Sequence, residues 1–161
     1  MSDEGNRIEV VRGRVEGALA EEITSFWAGI GVSAPEGTQE RLSQVACVLR
    51  TPGGEITGVN SAYAGAMPMI GNRVFWIYRS ALAPEVGDGD YLAMARACFD
   101  ELARGFEETG SGPVGLALRV TDTGFLERHP EAIWPQAGFL YAGFANDGAQ
   151  IRIRYFEGAR I

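Results

Sequence analysis

The chain has 161 residues, 46% apolar and 22% charged, enough for one buried core without disulfide or metal support, and no apolar run reaches the roughly 18 residues of a membrane span. A net charge of −7, with arginine as the only basic residue type besides one histidine, disfavours a nucleic-acid partner, and the lack of lysine excludes Schiff-base chemistry. His129 is the single histidine, and Cys47 and Cys98 lie far apart with no second ligand at metal spacing, so no metal is expected.

The start, MSDEGNRIEV, has no basic region followed by an apolar stretch, which points to a cytoplasmic protein with no membrane partner. Arg7 to Val15 reads as a first strand. Leu19, Ile23, Phe26, Trp27 and Ile30 then share one helical face, with Gly31 placed to stop the helix. A second helix is expected from Pro35, a residue favoured in a first helical turn. ACVLRT, the turn PGGE and ITGVNSAYAGAMPM read as two strands, followed after IGNR by the strand VFWIYRSALA. On that last strand Val74, Trp76, Tyr78 and Ser80 share one face and Phe75, Ile77, Arg79 and Ala81 the other. Together the three strands predict an antiparallel meander.

From Pro84 to Phe106 a glycine-containing turn runs into an amphipathic helix, with Leu92, Ala95, Cys98, Phe99, Leu102 and Phe106 on its inner face. The turn carries Gly87 and Gly89 among Glu85, Asp88 and Asp90. Two readings stand side by side: an acidic helix cap, or a phosphate cradle at a helix N-terminus. Pro113 to Val120 reads as a buried strand, so that strand, helix and strand make a parallel crossover. A short or irregular helix is expected around TGFLERHPEAIWPQ, and GFLYAGFA, NDG and AQIRIRYF close the chain as a hairpin. No repeat or linker divides the chain, and residues 1–161 read as one domain.

This order of elements resembles the Gcn5-related N-acetyltransferase (GNAT) family over nearly the whole chain. ALAPEVGDG matches the family's strand ending in Val-x-Pro and its pyrophosphate loop, while WPQAGFLYAGF resembles its Tyr-x-x-x-Gly-Phe signature through Gly138 and Phe139. The resemblance implies an α/β (α+β) fold: a mixed, mostly antiparallel central sheet of roughly six to seven strands, flanked by about four helices, with a central β-α-β crossover. It implies acetyl-CoA or another acyl-CoA as cosubstrate, a small-molecule amine as acceptor, and a bacterial or phage source. A homodimer is compatible with it. Carried onto this sequence, Leu82 and Ala83 would offer backbone groups to the pantetheine arm, and Val86, Gly87, Asp88, Gly89 and Asp90 would face the pyrophosphate.

Two features depart from the family pattern. The loop's basic or amide residue is replaced by Pro84 or Gly87, depending on the frame, and Asp88 and Asp90 bring negative charge toward a negative ligand. The signature tyrosine, a proton donor to the leaving thiolate in the family, is Trp134, whose indole has no acidic proton. Candidates for the proton donor are therefore Tyr141, with Tyr78 and Arg79 on the central strand expected toward the same cleft, and the candidates for a general base are His129, Glu127 and Glu131. Asn60, Ser61 and Tyr63 read as a substrate mouth or a water-facing strand surface, and Arg152 with Arg154 as an exposed basic stripe or protected edge. The two functions left open are acyl-CoA-dependent N-acyl transfer and a catalytically inactive binding or assembly protein of the same fold.

Overall fold

The computed structural model describes residues 5–33 and 37–160. The first strand, β1 (Arg7–Val10), is shorter than expected, because the chain turns at Arg12 and Gly13. Helix α1 (Gly17–Gly29) stops where Gly31 was expected to stop it. Gly31 has φ +77°, its N–H donates to Ala28 O at 3.3 Å, and Val32 N–H reaches back to Trp27 O at 2.9 Å. This paired arrangement satisfies two terminal carbonyls and needs the left-handed residue in between. Helix α2 (Thr38–Ser43) follows; Pro35, its expected start, lies outside the described residues.

Strands β2 (Val45–Arg50), β3 (Ile56–Met67) and β4 (Arg73–Leu82) form the expected meander, and a 3₁₀ turn (Pro68–Ile70) separates the last two. Helix α3 (Asp88–Thr109) leads to β5 (Gly115–Val120), which runs parallel to β4 with Trp76 opposite Leu116 and Ile77 opposite Ala117. Helix α4 (Thr123–Arg128) is held at its start by Asp122, which accepts from Phe125 N–H at 3.1 Å, and it ends before the His129-Pro130 pair. Strands β6 (Ile133–Trp134), β7 (Phe139–Phe144) and β8 (Gln150–Tyr155) complete an eight-stranded sheet in the order β1-β2-β3-β4-β5-β8-β7-β6. The two-residue β6 takes the strand number past the expected six to seven. The NDG turn closes the β7–β8 hairpin with Ala145 and Ala149 bonded across it.

By internal contacts the described chain divides into two compact units. Unit 1 comprises the chain up to Ala62 together with Ser80–Cys98, and unit 2 comprises Tyr63–Arg79 together with the chain from Phe99 onward.

In unit 1 the strands bury both faces. Val45, Val48, Val59 and Ala81 pack with Ile23 and Trp27 of α1, at positions four apart that one helical face presents. On the other face, a Cβ added to Gly58 would fall 2.8 Å from Leu82 and 3.1 Å from the Met94 sulfur of α3, so the bare backbone there lets helix and strand approach. Asn60 and Ser61 are buried and do not form a solvent-facing mouth. The Asn60 side chain accepts from Cys47 N–H at 2.8 Å, beside an irregularity in the β2–β3 register, and donates to Met94 O at 3.0 Å. Replacing Asn60 by alanine strands a buried N–H and should cost about 2 kcal/mol in urea unfolding. At the rim of this unit Arg50 holds Glu22 through both carboxylate oxygens, at 2.6 and 2.9 Å, and Glu9 at 2.8 Å. The Arg50 hydrogen bond keeps the Glu22 carboxyl below its usual range. Burial pushes the Cys47 thiol up to about 12 and the Cys98 thiol higher still.

In unit 2, Phe75, Ala117, Ile151 and Ile153 form the core on one sheet face. On α3, Phe99 meets Phe139 edge-on at 6.3 Å between ring centroids and Phe156 at 5.2 Å. Arg152 and Arg154 are not an exposed stripe. Arg152 is 1% exposed, because β8 lies between β5 and β7 and is no edge. Its guanidinium donates to Glu131 O at 2.6 Å and Ala132 O at 3.1 Å, and lies 4.3 Å from the Trp134 ring centre. Arg154 donates to Ala137 O at 3.0 Å and covers the Phe99 ring.

Candidate functional site

The loop after β4 belongs to unit 1. Ala83 N–H donates to Thr57 O of β3 at 2.8 Å, and Ala83 O accepts from Val86 N–H at 3.0 Å, so both backbone groups of Ala83 are engaged. Strand alternation turns the N–H and C=O of Leu82 to the opposite edge of β4, away from β3. Of the two residues expected to serve a pantetheine arm, Ala83 is the one whose backbone is committed to β3 and the following turn. Thr57, 7% exposed, carries a hydroxyl with no hydrogen-bond partner among the described residues. Nothing in the sequence marked it, since a threonine on a strand is ordinary.

Helix α3 begins at Asp88, and its first internal bond runs from Tyr91 N–H to Gly87 O at 3.1 Å. The N–H groups of the first turn precede this ladder and, with the helix dipole, make a partial positive charge. Gly87 and Gly89 both have backbone angles open to any residue, and a Cβ added to either meets nothing within 4 Å. The turn therefore does not require glycine for its geometry, and the backbone stands bare before open space. Against this, Asp88 and Asp90 occupy the first turn, and Asp90 accepts from Asn6 Nδ2 at 2.9 Å. Behind the loop, burial raises the Tyr91 hydroxyl well above the usual phenol range, which keeps it neutral.

The expected acid–base residues lie in unit 2 and in unlike surroundings. Tyr141 on β7 is 46% exposed, opposite Arg152 in the β7–β8 register, with Phe144 edge-on at 5.8 Å. Tyr78 on β4 is buried. His129 ends α4; its ring lies 4.5 Å from Phe125, and its carbonyl accepts from Trp134 Nε1 at 3.0 Å. Trp134, at the position of the expected tyrosine, is fully enclosed. The same unit holds a pocket of about 510 Å³ above Ile77, Ala117 and Ile151, which the sequence did not foreshadow because its lining comes from five separate chain segments. The described residues hold no group of three or more His, Cys, Asp or Glu side chains arranged for a metal, and no helix long and apolar enough to cross a membrane.

No protein-family model and no curated protein sequence matches this chain. Solved structures do. AtaTR bound with AcCoA superposes with a TM-score of 0.53 at 13% identity, over 91% of this chain and 92% of that one. A GNAT-family acetyltransferase from Streptococcus pneumoniae matches at 0.51 and 12% identity, over 94% and 99% of the two chains. The fold is that of the GNAT acetyltransferases. A probable N-acyltransferase from Enterococcus faecalis V583 shares it at 0.51 and 12% identity, over 77% of this chain, which spans 31% of that longer protein. An acyl-CoA pyrophosphate would meet bare glycine backbone at the start of α3, and in the same turn the opposing carboxylates of Asp88 and Asp90.

Proposed function

We propose that residues 1–161 act as a single acyl-CoA-dependent N-acyltransferase domain, cytoplasmic, acylating the primary amine of a small molecule. The observation that carries this reading is the pair of glycines at the start of α3, conformationally unneeded and facing open space, on a GNAT fold. When bound, acyl-CoA supplies an activated thioester. The chain supplies position: first-turn N–H groups from Asp88 to Asp90 hold the pyrophosphate, Val86 and Gly87 shape the approach, and the Leu82 edge of β4 holds the arm. Ala83, with both backbone groups engaged, braces that edge against β3 instead of binding. Tyr141, the most exposed of the three acid–base candidates, is proposed as a proton donor. Tyr78 is proposed to orient from within the sheet, and His129 is a third candidate for moving the amine proton.

The carboxylates of Asp88 and Asp90 favour a second reading, a GNAT-fold binding or assembly protein that does not use CoA. Calorimetric titration with acetyl-CoA and free CoA separates the two. Saturable binding is expected in the wild-type chain. Asp88→Asn and Asp90→Asn should each tighten it roughly five- to tenfold, about 1 kcal/mol after screening, while losing a few tenths of a kcal/mol of helix stability. Affinity and stability thus move in opposite directions. No binding to any of the three proteins would leave only the second reading.

A further inference from the structure

Unit 2 holds a second feature of interest, its pocket. Its floor is Ile77, Ala117 and Ile151, from the neighbouring strands β4, β5 and β8, with Ala117 opposite Ile77 and Ile151 opposite Arg119 in the register. Met67 and Met69 form one wall and the residues around Phe144 the other. Met69 reaches β7, since a Cβ on Gly143 would lie 3.2 Å from its methyl group. Methionines adapt to the shape of an apolar body, and both Met69 and Phe144 expose apolar surface that a ligand would cover.

Among the lining residues Arg119 is the one that carries a charge. Its side chain is 44% exposed and paired with Asp147, itself 54% exposed on the β7–β8 turn. Pairs this exposed contribute little, so an incoming anion can take the guanidinium. The turn survives the exchange. Asp147 accepts from Ala149 N–H through Oδ1 at 3.2 Å and meets Arg119 through Oδ2.

We infer that this pocket binds a small molecule with an apolar body and a single carboxylate, the carboxylate on Arg119 at the mouth. A volume of about 510 Å³ lies within the range of small-molecule pockets. The assignment rests on the pocket alone and stands whether or not acyl-CoA binds.

Decanoate, kept below its aggregation concentration, is a probe of suitable size, with decan-1-ol and decylamine as its neutral and cationic counterparts. Methyl-labelled methionine reports the location by NMR. Saturable shifts at Met67 and Met69, with Met94 unmoved, are the expected result, decanoate binding about tenfold tighter than decan-1-ol and decylamine weakest. Arg119→Gln should remove the preference for decanoate, and Asp147→Asn should tighten decanoate several-fold by releasing the guanidinium. Met69→Glu, at an exposed wall position, should weaken every probe at least tenfold. Absence of saturable shifts at Met67 and Met69, or equal response at Met94, overturns the site. Equal affinity for the three head groups overturns the carboxylate.

Discussion

Trp134→Ala is expected to lose about 4 kcal/mol of stability, read as a fall in Tm of roughly 8–16 °C for a chain of this size. The indole is fully enclosed, meets Phe125 edge-on at 5.3 Å, and lies 4.3 Å from the Arg152 guanidinium carbon. Truncation removes these contacts, leaves a cavity, and strands the His129 carbonyl that the indole N–H now satisfies at 3.0 Å. Trp134→Phe keeps most of the packing and loses the hydrogen bond, so about 1–2 kcal/mol is expected. A Trp134→Ala protein as stable as the wild type would contradict the burial of the ring. The position that resembles a catalytic tyrosine in sequence is thus a structural anchor.

Arg152→Met should cost about 3 kcal/mol by urea unfolding, a large loss for a substitution that keeps side-chain length and apolar character. The methionine fills much of the space but leaves the Glu131 and Ala132 carbonyls and the Gln150 amide oxygen without their donor. Arg154→Met, losing one bond to Ala137 O, should cost about 1 kcal/mol. Because Arg152 and Trp134 touch, the double mutant should lose less than the sum of the single ones. A cycle returning strict additivity would show that the stacked guanidinium contributes nothing to the ring.

Local signals carried most of the fold. Gly31 stops α1 because its left-handed backbone is a property of one residue, and the NDG turn fixes its hairpin for the same kind of reason. The alternation on β4 and the helical spacing on α3 are likewise periodicities of a few residues. What could not be read was decided by pairing at long range. Arg152 looks like an outward position until β8 inserts between β5 and β7. Asn60 looks like a rim residue until its partners, 13 and 34 residues away, enclose it. At the candidate site, the glycine loop and its acidic neighbours were legible in sequence, including the tension between them. The open space before Gly87 and Gly89 was not, because it depends on what other segments leave empty.

The two buried thiols make the folded chain its own clock. Cys47 and Cys98 are both enclosed in unit 1 and held protonated by burial, so a thiol reagent in neutral buffer finds almost no thiolate to attack in the closed protein. Modification must wait for that unit to open. Where reclosing outpaces the reagent, the labelling rate reports the free energy of opening; where the reagent outpaces reclosing, it reports the opening rate itself. The Asn60 carboxamide, bonded to the Cys47 backbone and to α3 four residues before Cys98, sits where any loosening would advance both labels together.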